Sequence, residues 1–461
     1  MLDYLGKMLK SMRSAFSYET TFLWFVLVFV GFMTRPDSYG ASSIVRALML
    51  APSCYPCLID FFHSSAWTAR GLLDQWWKLV GKEKDAFMVE ERIVLLGDHT
   101  NIVKDGRKTP SVSTLHQTSE TGSKPSFFRG YQWGCLGLLT RRGPDRVLST
   151  PLWAEIHNDL TNGTRATRIV EVAIEAARSW DQPAYLVLDA FFASGPVFET
   201  ARREGGIVEI LTRAKKSYVG YLKPEQPKKR GRGRPRKYGK SLKLIELFDD
   251  WKERFETIEA SVYGNTDTVR YLATNLLWKA TKGEVRFIHI ESSRGRIILM
   301  TLDFSMDPLV AVDLYCRRVF IETLFDTLKN LQGAGQYRFW SKHLRPASRR
   351  PVRKDKSDAH SSRPKKTDNT LAAIEKFMVV HLLVVGALQL LANRFPAHIF
   401  GQARCWLRTS CGAVPSEFVT RTALVHIIQT NILSFGKDWM TQLILKNHIN
   451  PNNTGKNEKA V

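Results

Sequence analysis

"YCRRVFIETLFDTLKN", residues 315–330, decides how the rest of the chain is read. Its spacing predicts one continuous helix, with Ile321, Leu324 and Leu328 on the face that packs against a core. Tyr315, Arg318, Glu322 and Lys329 stand on a neighbouring arc of roughly 60°, at about 100° per residue. A solvated helix edge is the ordinary explanation of four polar residues in a row. Such an edge, however, favours Glu-to-Lys pairs four residues apart. Here one carboxylate stands between an arginine and a lysine, with a phenol at the end. That order suits a metal ion and a phosphate backbone met together, provided further carboxylates converge on it from elsewhere.

The bulk composition points the same way. A chain of 461 residues suggests two or three domains, one of them large, and 44% hydrophobic residues can bury a sizeable core. Intrinsic disorder is thereby excluded as its main character. The formal charge of +23 calls for a polyanion, DNA or RNA ahead of an acidic membrane surface. Six cysteines at irregular positions make no disulfide framework. Cys54 and Cys57 form one CxxC without a second pair or histidines at zinc spacing, so they read as thiols in a reducing cytosol.

Two apolar runs bear on location. Phe22–Met33 has 12 residues where about 20 are needed to cross a bilayer, and no small-residue cleavage site follows it. Phe377–Ala392 has 16 residues and carries His381 and Gln389. Both read as buried core helices. The expected location is the cytoplasm, with no membrane partner.

Residues 1–88 read as a helical N-terminal region that binds DNA. Within 89–215, Ile93–Leu96 form a short apolar strand and Asp98 is the first carboxylate after it. Two more strands, "FRGYQWGCLGLLT" and "RVLSTPLWAEI", are joined by "RRGPD", and an amphipathic helix over 164–180 follows. Tyr185–Leu188 make a buried strand with Asp189 at its carboxyl end, where α/β sheets gather ligands. A helix N-cap is the plain reading of Asp189 alone. Two aspartates, each closing an apolar strand, are more telling than either.

Residues 216–305 combine a basic linker with a β-rich insertion, 306–340 hold the opening helix, 341–370 form a second basic loop, and 371–461 are helical. In the linker, "RGRP" (232–235) has the form of a minor-groove hook, although sequence-independent phosphate contact is the simpler role. Each phosphate neutralised there adds about −0.9 to the slope of log K against log salt. Replacing Lys228, Lys229, Arg230, Arg232, Arg234 and Arg236 with glutamine is therefore expected to flatten that slope; an unchanged slope would mark the run as a solvated linker.

Asp98, Asp189 and Glu322 thus stand on a strand, a strand and a late helix, as the metal-binding acids do in a ribonuclease-H-like sheet. Phosphodiester cleavage calls for hard oxygen ligands that hold Mg²⁺ against the charge on phosphorus. The row Tyr315-x2-Arg318-x3-Glu322-x6-Lys329 resembles the Y-R-E-K signature of bacterial insertion-sequence DDE transposases that move through DNA hairpins, and the preceding "TLDFSMDPLVAVDLY" resembles them too. The resemblance covers about residues 90–340.

It implies an α/β fold with a ribonuclease-H-like core split by the β-rich insertion, flanked by helical N- and C-terminal regions. It also implies cut-and-paste transposition: Mg²⁺-dependent cleavage at transposon ends, then strand transfer into target DNA. Asp98, Asp189 and Glu322 would be the catalytic residues and hold two Mg²⁺ ions, with Mn²⁺ as a substitute. Tyr315, Arg318 and Lys329 would hold the terminal phosphates. The partners would be double-stranded DNA, as terminal inverted repeats and as target, and a second copy of the chain, since joining two ends takes two active sites.

One position departs from the family. A tryptophan that stacks on a flipped base in well-studied members is replaced by Ile297, with Trp278 as a possible substitute or a core residue. Two rival readings are a non-catalytic DNA-binding protein derived from a transposase and a membrane-associated protein anchored by the two apolar runs. Intact Asp98, Asp189 and Glu322 oppose the first.

Overall fold

The computed structural model describes residues 1–116, 126–143, 146–158, 164–203, 205–225, 236–339, 365–403, 405–406 and 414–449. Five helices come first: α1 (Leu2–Ser11), α2 (Glu19–Thr34), α3 (Ser42–Ala47), α4 (Cys54–His63) and α5 (Ala69–Val80). Helix α2 is apolar on every side, which suits only a helix enclosed by others. It is enclosed, with Phe25, Val28, Phe29 and Phe32 fully buried.

The core sheet follows. Its strands are β1 (Met88–Val89), β2 (Arg92–Val103), β3 (Ser113–His116), β4 (Phe127–Arg142) and β5 (Arg146–Ile156). Helix α6 (Arg165–Ser179) leads to β6 (Ala184–Val187), and α7 (Gly195–Arg203) to β7 (Val208–Arg213). Strands β2, β4 and β5 are antiparallel neighbours, and β2, β6 and β7 run parallel. The order β5-β4-β2-β6-β7, with two helical crossovers, is the ribonuclease-H-like arrangement expected from the sequence. Thr164 caps α6 in a reciprocal box with Thr167, and Ile169, Val172, Ala173 and Ala176 face the sheet.

The insertion does not form a separate sheet. It comprises β8 (Val219–Tyr221), β9 (Ser241–Lys243), α8 (Leu247–Asp250), β10 (Glu256–Val262), β11 (Asn265–Trp278), β12 (Gly283–Ser292) and β13 (Gly295–Thr301). Strand β13 pairs with β7 through Leu299–Arg213 and Met300–Thr212, so thirteen strands run on continuously among the described residues.

After β13 come α9 (Pro308–Arg317), α10 (Val319–Asp326) and a π turn over Thr327–Leu331. The chain returns as α11 (Lys365–Arg394), α12 (Pro396–Gln402), α13 (Glu417–Leu433) and α14 (Trp439–Lys446). Helix α11 packs on β5, α2, α4, α5 and α13. It is long and apolar enough to cross a membrane, yet 83% of its apolar window is buried inside the molecule. Residues 377–392 are thus core, as the sequence predicts.

Candidate active site

Asp98 does not close its strand as expected; β2 runs five residues further to Val103. The reason is non-local. Strand β2 stays paired with β4 as far as Val103–Gly130, whereas its parallel pairing with β6 ends at Leu96–Val187. A crevice therefore opens beside Asp98 on the β6 side only. Asp189 stands at the head of that crevice, two residues past β6.

Alternation along β2 aims the carboxylate. A Cβ on Gly97 would lie 2.7 Å from Ile169 Cγ2 and 2.8 Å from Leu188 Cδ2, so only glycine lets α6 pack this close. The next side chain, Asp98, points to the opposite face, where α10 lies across β2, β4 and β5. Helix α10 carries Glu322, and the junction before it carries Arg318.

Arg318 joins the parts. Its guanidinium donates to Asp98 Oδ2 at 3.1 Å and to Glu322 Oε1 at 2.7 Å. Asp98 is nevertheless pushed up to about 7, first by burial and then by the charge of Asp189. Burial also raises Asp189, opposed by the backbone N–H of Phe191, which donates to Asp189 Oδ1 at 2.9 Å as the cap of a short turn. The plain capping role and the crevice position thus coexist in one residue. Two carboxylates at one crevice, both held above their ordinary range chiefly by burial, are a fit donor pair for a divalent cation. Glu322 does not complete a cage with them: among the described residues no three His, Cys, Asp or Glu side chains converge to hold an ion. The Arg318 guanidinium lies between, and Glu322 keeps a side chain 53% exposed.

The opening stretch is not one helix. Helix α9 stops at Arg317, and the N–H of Arg318 reaches back three residues to Tyr315 O at 3.2 Å. The π turn then widens the coil around Lys329. The four residues of the row therefore divide: Tyr315 is buried, Arg318 and Glu322 are ion-paired, and the Lys329 ammonium lies 6.0 Å from the Phe325 ring centre. Of the basic run, Lys228, Lys229, Arg230, Arg232 and Arg234 lie outside the described residues, and Arg236 is exposed. The second basic loop lies outside them over 340–364.

Two features escaped the sequence reading. The first is a histidine pair behind Asp98. His99 Nε2 meets His157 Nδ1 at 3.0 Å, and the His99 ring stacks on Phe192 at 5.1 Å between centres. Burial, before any charge, pushes His99 down to about 4 and His157 to about 3, so neither adds positive charge beside the carboxylates at neutral pH. Gly134 makes the room: a Cβ there would lie 2.0 Å from His157 Cε1.

The second is a cavity of about 410 Å³ between the insertion and α9, lined by Arg213, Lys216, Arg294, Ile297, Tyr263 and Tyr315, among others. Tyr263 and Gly264 form the two-residue turn of the β10–β11 hairpin, both at positive φ. The turn displays the Tyr263 ring, 45% exposed, under the Arg294 guanidinium at 4.5 Å. Trp278, by contrast, is buried against Tyr218, with ring centres 5.2 Å apart. It is a core residue. The hairpin signal "YGN" was present in the sequence, but its place over α9 depends on how the insertion folds back.

A family model described as DDE superfamily endonuclease matches residues 12–274, a span that includes Asp98 and Asp189 and ends before Glu322. Among solved structures, a piggyBac transposase synaptic complex with hairpin DNA, studied by cryo-EM, is similar over 96% of this chain and 79% of that chain. The identity is 11% and the TM-score 0.37. No curated protein matches the chain.

Proposed function

This chain belongs to the DDE superfamily of endonucleases, and from that membership we propose that it is a cut-and-paste DNA transposase, cleaving transposon ends and transferring them into target DNA. The observation that carries the reading is the placement of Asp98 and Asp189 at the crevice where β2 and β6 part, with the Arg318 guanidinium donating to both Asp98 and Glu322.

Asp98 and Asp189 would hold a divalent cation, Mg²⁺ with Mn²⁺ as a substitute, and Glu322 would complete the set when Arg318 turns to a phosphate. Held there as two ions, the metal would supply an activated attacking oxygen and a stabilised leaving oxygen. Arg318 is suited to the exchange, since its planar fork binds phosphate as readily as carboxylate. Arg213, Lys216 and Arg294 give the strand a cationic wall beside Tyr315. The exposed Tyr263 ring supplies the stacking surface that Ile297 and the buried Trp278 do not, which keeps a hairpin route open to this chain. On DNA the active form would be at least a dimer.

The test uses the full-length protein and duplexes carrying the inverted repeats that flank its gene. Mg²⁺-dependent breaks at the repeat tips are expected. The rival reading, a non-catalytic DNA-binding descendant, takes support from the absence of a three-residue cage among the described residues. It requires binding without breaks, and that result would displace the transposase reading.

A further inference from the structure

Resting on the transposase reading above, we infer that Phe191 is a base-stacking residue: its ring holds a nucleobase next to the scissile phosphate, on the α6 side of the crevice. Phe191 follows Asp189 by two residues, on the short turn Ala190–Phe192, and is 53% exposed. A single exposed phenyl is ordinary on a protein surface. This one differs in what holds it.

The ring is braced from behind. His99 and Phe192 lie nearly parallel, with 11° between their planes. Phe191 stands at right angles to both, 5.3 Å from each ring centre, at 88° to His99 and 85° to Phe192. Phe192 is fully buried and His99 is backed by His157, so the support reaches into the core. The backbone beneath is pinned as well. Thr212 Oγ1 donates to Asp189 O at 2.5 Å, and the N–H of Phe192 donates to the same carbonyl at 3.2 Å. A ring held this way has little freedom left to lose when a base lies against it. The turn that aims the Asp189 carboxylate also presents the ring, through the Phe191 N–H bonded to Asp189 Oδ1.

The side of the crevice identifies the role. Gly97 of β2 faces α6, and His99, two residues on, shares that face. Phe191, set against His99, is therefore on the α6 side. Tyr263 is on the other: it lines the cavity with Tyr315 of α9, and the charges of Arg318 and Glu322 act on its phenol. Two exposed rings thus flank the carboxylates from opposite faces. A strand whose phosphate sits at Asp98 and Asp189 presents a neighbouring base to each ring. Phenylalanine has no hydrogen-bonding group, so its contact fixes the strand without reading its sequence.

The experiment uses the full-length protein, Mg²⁺ and duplexes carrying the inverted repeats that flank its gene. The duplexes are either intact or lack a single base close to the break, each nearby position being taken in turn. Phe191→Ala is expected to slow breakage of the intact duplex by roughly 5- to 100-fold, the worth of one base–aromatic stack. The Asp189 cap survives that substitution, because residue 191 serves it through its backbone N–H alone. Phe191→Trp should break the intact duplex as wild type does. Phe191→Leu, which keeps apolar bulk against His99 and Phe192, should be as slow as the alanine variant. On the duplex lacking the stacked base, wild type and Phe191→Ala should become equal. The same loss on every duplex, or full breakage by Phe191→Leu, makes the ring a structural prop and overturns the proposal. So does a Phe191→Ala variant as fast as wild type on the intact duplex. In each of these cases breakage by the wild type leaves the transposase reading standing. A wild type that makes no breaks at the repeats overturns both.

Discussion

Asp98→Asn and Asp189→Asn are each expected to lower Mg²⁺-dependent DNA breakage by roughly 10³-fold or more while leaving DNA affinity and folding intact. The amide keeps the shape of each side chain and removes the charge a divalent ion needs. Unfolding does not explain such a loss. Asp98 is held near 7 by burial first and Asp189 second, well above its ordinary 3.8. A carboxyl raised in the folded state binds its proton more tightly there than in the unfolded chain. Its contribution therefore disfavours folding progressively as pH climbs from about 4 to 7. The asparagine variant escapes that cost, so metal-free Asp98→Asn should melt no lower than wild type at pH 7.5 and match it near pH 4. Glu322→Gln is the companion case. Its side chain is 53% exposed, so stability should change by no more than about 0.5 kcal/mol. Full breakage by Asp98→Asn would sink the DDE mechanism; full breakage by Glu322→Gln would remove only the third ligand.

Much of the candidate site was legible because its parts are local. An apolar run ending near a carboxylate marked both Asp98 and Asp189, and the amphipathic spacing of 164–180 marked α6. What stayed hidden depends on pairing between distant segments. Whether β2 ends at Asp98 is decided by β4, which keeps bonding as far as Gly130, and by β6, which stops at Val187. The break at Arg318 is tertiary in origin too. Its guanidinium is claimed by Asp98 from another element, and the row of four is divided where a regular helix would have kept it whole. The insertion strands were readable one by one, yet nothing local in "RIILMTLD" says that β13 joins β7 and fuses the insertion to the core sheet.

Arg35 ties the site to the rest of the molecule, and Arg35→Met is expected to destabilise the protein by about 3 kcal/mol, since buried acceptors left without donors cost ~1–3 kcal/mol each. Arg35 is the C-cap residue of α2, its backbone N–H donating to Gly31 O, and with 1% exposure its guanidinium stacks on Phe32 at 4.7 Å. It donates to the carbonyls of Tyr39 and Gln332 and meets His381 Nε2 at 3.0 Å. An arginine can only donate, so Nε2 accepts and the ring proton sits on Nδ1, which donates to Phe377 O at 2.8 Å. The histidine is thus neutral, and burial followed by the Arg35 charge keeps it well below its usual range. Arg421 of α13 donates to the carbonyls of Arg35 and Leu331. Helices α2, α11 and α13 are in this way fastened to the chain just beyond Lys329. Methionine would strand the Gln332 carbonyl and loosen that end of the row, so breakage should fall along with stability. A second substitution separates polar satisfaction from packing. His381→Leu in the Arg35→Met background removes the orphaned nitrogen and should recover at least about 0.5 kcal/mol, a coupling that strictly additive sites do not show. Chemical denaturation of the four proteins measures it. Additive losses, or a loss below about 1 kcal/mol for Arg35→Met alone, would mean that packing around α2 and α11 holds the segment just beyond Lys329 without this cation.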